Sequence, residues 1–307
     1  MHSPKGALGE LALPLLTSLV CVLGCSGRPS VVNRPTGPLD LDAARDYVLA
    51  LVNRDRHDHG LPELERDKVA ERAAQEHADD MARFGYTAHW GTDGSVPEER
   101  YTLAGGEDFV QENAACFGDG VKRELVKDPT FTAEHLERIE GAFMAEVPPA
   151  DGHRRNILKD THTNLGIGLA QPAGIPEPCM AQEFVDERGD YQSLPKSARR
   201  GSMVRVAGRV TKPVEFGGVG ISRIEPRKPR SASDLNRTST YPIPEPYILF
   251  FPKGFRTPKP VTFDGKEFSI DVPLNAGRGR YGVSVWGRYP GAGNQLVMVS
   301  LRTIDVK

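Results

Sequence analysis

The sequence predicts an α+β chain: a first domain in which helices flank a small sheet, followed by an all-β antiparallel sandwich. Two observations support this prediction. Apolar residues recur with the helical period in three segments of the first half, whereas the chain after Met203 consists of short alternating apolar runs separated by Gly, Pro and Asn. A length of 307 residues also suits about two domains.

Three amphipathic helices are predicted in the first domain, residues 41–190. Each begins beside a residue that can cap it and ends at Gly or Pro, which do not continue a helix. Their expected positions are after Asp40 or Asp42 to Gly60, after Asp67 to Gly85, and from about Thr132 to Glu146. Two apolar runs that follow are predicted as strands: Leu165–Gln171 and Cys179–Val185.

The second domain, residues 203–307, is predicted as an antiparallel sandwich after a linker at residues 191–202. Phe268, Ile270 and Val272 alternate with polar residues, as expected for a strand with one face buried. The basic and irregular segment Glu225–Asn236 is expected to be a solvated loop.

The composition is that of an ordinary globular protein, with 38% apolar and 26% charged residues. Lys and Arg total 39 against 41 Asp and Glu, a net charge of −2. Nucleic-acid binding needs a basic excess on one face, so we expect no nucleic-acid partner.

The first 24 residues are typical of an export signal peptide. Lys5 precedes the apolar segment Leu11–Gly24, which is shorter than the roughly 20 residues of a membrane span. The tetrapeptide "VLGC" resembles the lipobox of bacterial lipoproteins, in which the Cys becomes the lipidated first residue. We therefore predict a lipid anchor on Cys25, a tether at residues 25–40, and a lipoprotein on the outer face of a membrane, cell-surface or periplasm-facing. The alternative is a plain secretory signal and a secreted protein.

Export also bears on the cysteines. Cys21 lies within the signal and Cys25 would carry lipid, which leaves Cys116 and Cys179. Two cysteines in an oxidising compartment predict one disulfide bond. The alternative is a pair of unpaired buried thiols.

Familiar catalytic motifs are missing from the sequence: there is no HExxH, no GxSxG, no Walker loop and no paired CxxC. Standard zincin, α/β-hydrolase and nucleotide-binding functions are therefore excluded. What remains is a dispersed set of His and Glu residues, each near a Gly, an Asn or a turn. They are His89 in "AHWGTDG", Glu112 in "QENAAC", Glu146 in "FMAEV" and His153 in "DGHRRNIL".

These segments, together with Val52–Leu64, Ala73–Ser95 and "LGIGLA", resemble the CAP superfamily in its bacterial extracellular form. That superfamily comprises the cysteine-rich secretory, antigen-five and pathogenesis-related proteins. The resemblance covers about residues 41 to 187 and rests on several motifs in the family's order. It implies a three-layer α-β-α sandwich, in which the Asp-Gly turn directs His153 into a cleft. It also implies a cleft tetrad of His89, Glu112, Glu146 and His153.

Three roles are compatible with this tetrad. The first is a buried hydrogen-bond network that fixes loops onto the core, since paired polar groups can be purely structural. The second is a site for zinc or another divalent metal at His89 and His153, with the Glu residues orienting the imidazoles. The third is a metal-assisted hydrolase of peptides or esters, with the two carboxyl groups as acid and base.

We expect a binding protein rather than an enzyme, with Arg154 and Asn156 beside the tetrad in the ligand cleft. The expected ligand is a lipid, a peptide or a component of the cell envelope. In a purely structural alternative, the second domain serves in adhesion or as a spacer and the chain performs no chemistry.

The remaining histidines of the mature chain are expected to be structural or superficial. His77 lies on the apolar stripe of the second helix and is expected in the core. The others are expected at the surface: His57, His59, His135 and His162. Trp286 and Tyr289 are expected to pack in the core or at an edge rather than to form a platform for sugar stacking.

Overall fold

The computed structural model describes residues 32–238, 240–291 and 293–307. The predicted signal peptide and the predicted lipidation site Cys25 lie outside the described residues. No helix in those ranges has the length and apolar character that a membrane-spanning segment needs.

The first domain has three layers. Its central sheet has four strands in the order β1 (Glu65–Arg66), β3 (Asn164–Ala170), β4 (Cys179–Asp186) and β2 (Phe109–Ala115). The pair β1–β3 is parallel and the other two pairs are antiparallel. One face is covered by α1 (Leu41–Asp58), α4 (Ala133–Met144) and α5 (Gly152–Ile157), and the other by α2 (Lys68–Phe84) and α3 (Pro97–Ala104).

The helix ends follow from the capping residues of the sequence. The Asp40 side chain accepts a hydrogen bond from the Ala43 amide, and that of Asp67 accepts from two amides at the start of α2. Such caps each stabilise a helix by about 1 kcal/mol. Gly85 ends α2 with φ of 65°, the left-handed conformation that glycine adopts without strain. The third predicted helix is α4, which ends at Met144, two residues before the predicted end.

Strand β3 packs directly against the backbone of α2. Its residues Leu165, Ile167 and Leu169 face α1 and α4, whereas Gly166 and Gly168 face α2. A Cβ atom on Gly166 would lie 2.2 Å from the backbone carbonyl carbon of Ala70, and one on Gly168 would lie 2.1 Å from the backbone oxygen of Ala74. Because no side chain fits there, the two glycines set the distance between helix and sheet.

The segment "DGHRRNIL" differs from the prediction. The sequence predicts a turn, but residues Gly152–Ile157 form the short helix α5, preceded by Asp151 at its N-cap position. Ile157 is fully buried against the first-domain core. A single buried residue gives no apolar periodicity, so the sequence pattern does not reveal this helix. The elements α3 and β2 were also not predicted, since their buried residues include several charged or amide side chains.

The second domain is a sandwich of two sheets, in which all strand pairs but one are antiparallel. The first sheet has the order β10 (Thr262–Phe263), β11 (Glu267–Pro273), β7 (Met203–Val210), β5 (Gly189–Tyr191). The second has the order β6 (Ser197–Ala198), β13 (Val297–Val306), β12 (Gly279–Arg288), β8 (Glu215–Arg223), β9 (Pro246–Phe250). The predicted alternation in β11 is confirmed: Phe268, Ile270 and Val272 are buried between the sheets.

The predicted linker and the predicted tether are partly built into the domains. The linker begins within β5, which pairs with β7, and contains β6, which pairs with β13. Strands of two or three residues are too short to produce a period that the sequence reveals. At the end of the tether, the backbone of Leu39 exchanges two hydrogen bonds of 2.8 Å with that of Phe131.

The segment Glu225–Asn236, expected to be a solvated loop, lies instead against the first domain. It contains the short helix α6 (Ala232–Leu235), whose Leu235 is fully buried in an apolar cluster with first-domain residues. Arg230 lies over the Trp90 ring at 4.8 Å, and Arg227 forms ion pairs with Glu99 and Asp93. Arg227 therefore neutralises two acids that lie 128 and 134 positions earlier in the chain, and local composition does not show this relationship.

Candidate functional site

His89 and Glu112 form the first of two His–Glu pairs. His89 lies between α2 and α3, and its Nδ1 is 2.9 Å from Glu112 Oε1. Glu112 lies on β2 with its side chain fully buried, and its Oε2 accepts a hydrogen bond of 2.6 Å from Arg100 Nη2. The position of His89 therefore depends on a carboxylate that is itself held by a buried guanidinium.

The charge of Glu112 determines the tautomer of His89. Burial alone would raise the pKa of Glu112, but Arg100, His77 and His89 hold it well below its usual range. An ionised carboxylate only accepts hydrogen bonds, so the Nδ1 of His89 carries the proton when the ring is neutral. Its Nε2 then has a free lone pair.

His153 and Glu146 form the second pair. His153 lies in the first turn of α5, and Glu146 follows α4 closely. The backbone amide of His153 donates to Glu146 Oε2 at 2.9 Å, and its Nδ1 lies 2.6 Å from Oε1. Burial lowers the pKa of His153, so the ring is neutral at pH 7. The Phe143 ring packs against it, with ring centroids 4.6 Å apart.

The two pairs meet in one cleft. The ring centroids of His89 and His153 are 6.4 Å apart, and all four predicted tetrad residues line a cleft of about 1240 Å³. Within the described part of the chain, neither Nε2 receives a hydrogen bond, so both are available to a ligand. Asn156, predicted for the ligand cleft, also lines it.

The second domain supplies the opposite wall of the cleft. Trp286, Leu296, Val297 and Met298 line this side. Tyr241 lies near His89, with ring centroids 6.5 Å apart, and its hydroxyl donates to Glu98 Oε1 at 2.5 Å. Trp286, for which core or edge packing is predicted, hydrogen-bonds Ser284 Oγ through its indole N–H at 2.8 Å and also faces the cleft. The sequence does not reveal that this domain shares the site.

An amide network anchors α5 beneath the cleft. Asn113 Nδ2 donates to the backbone oxygen of His153 and to Gln182 Oε1, both at 3.1 Å. Asn156 Nδ2 donates to Asn113 Oδ1 at 2.9 Å, and Gln182 Nε2 donates to Glu140 Oε2 at 2.6 Å. These bonds connect two strands, α4 and α5, as a structural network requires.

The buried charged residues near the site that the sequence did not reveal include Arg100 and Glu183. Glu183 lies opposite Glu112 in the β2–β4 register and is fully buried, and neither of its oxygens has a hydrogen-bond partner among the described residues. Burial, and next the Glu112 carboxylate, raise its pKa well above its usual value. An acid within the apolar run "CMAQEFV" is the feature that would have identified Glu183.

Other residues singled out in the sequence lie elsewhere. Arg154 contacts His59 at 3.5 Å outside the cleft, and the neighbouring Arg155 lines the cleft instead. His77 is fully buried, as predicted, and burial lowers its pKa to about 4. His162 was wrongly placed at the surface, since it is buried and pairs with Asp186.

A metal would have two protein ligands in this cleft, the Nε2 atoms of His89 and His153. Glu112 and Glu146 use both oxygens on the partners described above. In keeping with this, no cluster of three or more His, Cys, Asp or Glu side chains with metal-site geometry occurs in residues 32–238, 240–291 and 293–307. Water or a bound ligand would have to complete the coordination.

A disulfide bond joins Cys116 to Cys179, with Cα atoms 4.4 Å apart. Cys116 follows β2 directly and Cys179 begins β4, so the bond closes the end of this strand pair. The cleft residue Glu112 lies four positions before Cys116 on the same segment. The bond therefore fixes the strand that carries one member of the tetrad.

Residues 49–175 match the family model described as CAP, Cysteine-rich secretory protein family. Among solved structures, an extracellular protein with an SCP domain from Bacillus anthracis str. Ames is similar, with 22% identity over 49% of this chain and a TM-score of 0.35. The match covers 45% of that protein, less than half its length. An outer surface protein of Borrelia burgdorferi is similar over 49% of this chain and 97% of its own, with 16% identity and a TM-score of 0.38. No curated protein matches the sequence.

Proposed function

We propose that this chain, of which residues 49–175 match the CAP family model, is an exported binding protein whose ligand lies in the tetrad cleft. The observation that carries the proposal is the pair of Nε2 atoms on His89 and His153, which have no hydrogen-bond partner among the described residues and lie in a cleft with an apolar opposite wall. Such a cleft suits a ligand with a polar group at the histidines and an apolar body.

Export is supported by two independent features. The Cys116–Cys179 disulfide is of the kind that persists in oxidising compartments outside the cytosol. The N-terminal sequence has the charged and apolar regions of a signal peptide, followed by "VLGC". We propose that Cys25 carries the lipid that holds the protein on the outer face of a membrane, at the cell surface or facing the periplasm.

Weak binding of zinc or another divalent metal is a second candidate function. Metal-ligating histidines commonly donate their other ring N–H to a carboxylate, which fixes the ring and increases its basicity. His89 and His153 both have this arrangement, through Glu112 and Glu146. With two protein ligands, the affinity should be well below that of a structural zinc site.

Hydrolysis is the less favoured alternative. In the mechanism considered for this cleft, the carboxyl groups of the two Glu residues would give and take the proton during the reaction. Glu112 is ionised and engaged by Arg100 and His89, and Glu146 has both oxygens on His153. Ligand binding requires no such proton transfer.

The binding function can be tested with N-phenyl-1-naphthylamine, a neutral fluorescent probe that has an apolar body and one N–H donor for a histidine Nε2. We expect one probe molecule per chain and a loss of affinity of about tenfold or more in Met298→Asp, because a charge on the apolar wall opposes binding. Met203→Asp is the matched control, since Met203 is exposed outside the cleft. Equal affinity in all three proteins would contradict the proposed function.

A further inference from the structure

The cleft is bounded on one side by the edge of a strand. Four consecutive residues of β2, Phe109–Glu112, line it. Neighbouring side chains of a strand point to opposite faces of the sheet, so consecutive residues share a cleft only where the strand edge faces it. In the described part of the chain β2 has β4 as its single strand partner, and its other edge faces the cleft.

The opposite side is a second strand edge. Leu296, Val297 and Met298 are also consecutive, and the last two begin β13. On its outer side β13 pairs with β6 at Asp305 and Val306, far from the cleft. The two edges meet where the Leu301 amide donates to the Asp108 carbonyl at 3.3 Å. From that contact, β2 continues forward through its cleft residues 109–112, and β13 leads back to the cleft residues 296–298.

The peptide groups of Val110 are unpaired on the cleft side. The Glu112 carbonyl accepts from the Asn156 side chain, which lies outside the sheet, so the peptide groups of Glu112 point away from β4. Those of Val110, two residues earlier in the same strand, point the same way. In the described residues no hydrogen bond from outside the sheet reaches the Val110 N–H or C=O. An unpaired strand edge is a template for another strand.

We propose that the cleft binds an extended peptide, which adds as a strand to β2 at Phe109–Glu112 and places apolar side chains against Trp286 and Met298. The proposal rests on the proposed binding function and specifies its ligand class. A peptide backbone offers the alternating donors and acceptors that complement a strand edge, whereas an acyl chain offers neither. Four strand residues span about 13 Å, which corresponds to a peptide segment of about four residues.

The histidines define the polar requirement of the peptide. Glu112 ends the lined part of β2, and His89 is hydrogen-bonded to it. In their neutral form, the rings of His89 and His153 present Nε2 lone pairs, which accept hydrogen bonds. The peptide residue that reaches them therefore carries a donor, either a hydroxyl or an ammonium group.

The test begins with a phage-displayed library of random seven-residue peptides, selected on the wild-type chain with Met298→Asp as the counter-selection. The enriched peptide is then synthesised in two forms, each N-methylated at one alternate set of amides. In a strand, one set faces β2 and the other does not. We expect one form to lose about tenfold or more in affinity and the other to bind nearly as the parent peptide does.

A readout on the protein completes the test. Addition of the peptide should slow hydrogen exchange of the Val110 amide. The variant Val110→Pro removes the outward N–H without removing a bond of the β2–β4 ladder, and should weaken peptide binding. If Val110→Pro does not fold, the methylated peptides decide the question without any change to the protein.

Failure to enrich any peptide, or equal effects of the two methylation patterns, would overturn the strand-addition proposal. Binding of N-phenyl-1-naphthylamine in the same cleft would then leave the proposed binding function intact and indicate a non-peptide ligand. Loss of both kinds of binding would contradict the binding function itself.

Discussion

Arg280 of the second domain forms an ion pair with Glu99 of the first domain, and the two side chains are only 2% and 4% exposed. Glu99 also accepts hydrogen bonds of 3.1 and 3.2 Å from Arg227 Nε. A buried pair of this kind is costly to break, because the charge that remains cannot return to water. The two domains are thus held in one arrangement, and the shared cleft depends on it.

Breaking this pair should destabilise the protein strongly. Arg280→Met leaves Glu99 with one partner that is partly exposed, and we expect a loss of about 3–5 kcal/mol in the free energy of unfolding. The double variant Arg280→Met with Glu99→Gln should recover much of that loss, since no unpaired buried charge remains. Denaturant unfolding of both variants measures the effect. Equal losses in the single and double variants would argue against a buried charge as the cause.

The disulfide should be complete in protein that is produced in an oxidising compartment. Thiol labelling under denaturing, non-reducing conditions should modify neither Cys116 nor Cys179. The bond spans 63 residues, and loop-closure entropy then predicts a loss of about 4 kcal/mol for the double Ala variant. Labelling of both residues in the untreated protein would mean that the bond does not form.

Zinc titration calorimetry separates the metal site from a purely structural network. If His153 is a ligand, His153→Ala should abolish zinc binding while the fold survives. The control variant His135→Ala, which lies outside the cleft, should still bind zinc. The affinity should fall as the pH drops below about 6.5, because a protonated imidazole cannot ligate. Burial lowers the pKa of His153, so this residue becomes protonated in the lower part of the pH range over which the zinc affinity decreases.

The structural network makes a different prediction for the same variants. Each single change in the tetrad should destabilise the protein by about 1–3 kcal/mol, since it leaves a buried or partly buried partner without a hydrogen bond. Zinc should then have no effect on the melting temperature. Equal heats of titration in the wild type and in His153→Ala would exclude a metal site at His153 and favour the structural network.

Glu140 should weaken the fold at neutral pH. It is fully buried, and burial raises its pKa to about 8 from an ordinary value of 4.5. The unfolded chain loses this proton at lower pH, so the stability that Glu140 contributes is complete below about pH 4.5 and is lost as the pH rises toward 8. Glu140→Gln should therefore stabilise the protein at pH 7, by on the order of 3 kcal/mol, and not at pH 4.

The control for this variant is Glu134→Gln on the exposed side of the same helix, which should change stability little at either pH. Urea unfolding at pH 4 and pH 7 gives both comparisons. A loss of stability in Glu140→Gln at pH 7 would show that the Glu140 carboxylate is ionised and paired in the folded state.

The proposed lipid anchor predicts how the variant Cys25→Ser behaves in cells. Cys25→Ser should leave the signal peptide uncut or release the protein in soluble form, because firm membrane attachment requires the several acyl chains of a bacterial lipoprotein. Fractionation of cells and mass spectrometry of the mature N-terminus test this. An unmodified mature N-terminus at another residue would exclude lipidation.

Local features of the sequence were enough to predict much of the first domain. Asp40, Asp67 and Gly85 act on the backbone next to them, so the ends of α1 and α2 could be located from single residues. The short helix α5 could not, because six residues give no period and its stability comes from tertiary contacts.

The candidate site divides in the same way. The tetrad residues could be named because their segments resemble those of the CAP superfamily, and all four line one cleft in the structure. The partners that control them could not: Arg100 and Glu183 belong to elements whose contact depends on the completed sheet. The wall formed by Trp286 and Met298 depends on how two domains pack, which no local pattern records.

The close contact of Gly166 and Gly168 with α2 has a consequence for how this protein can change through mutation. Every substitution at either position adds at least one carbon where backbone atoms of α2 already lie. Such a change would push α2 away from the sheet, and with it His77, which packs behind the Glu112 carboxylate at 3.6 Å. Gly166 and Gly168 do not line the cleft, but the need to keep both glycines limits which mutations the protein can accept without a change in the cleft.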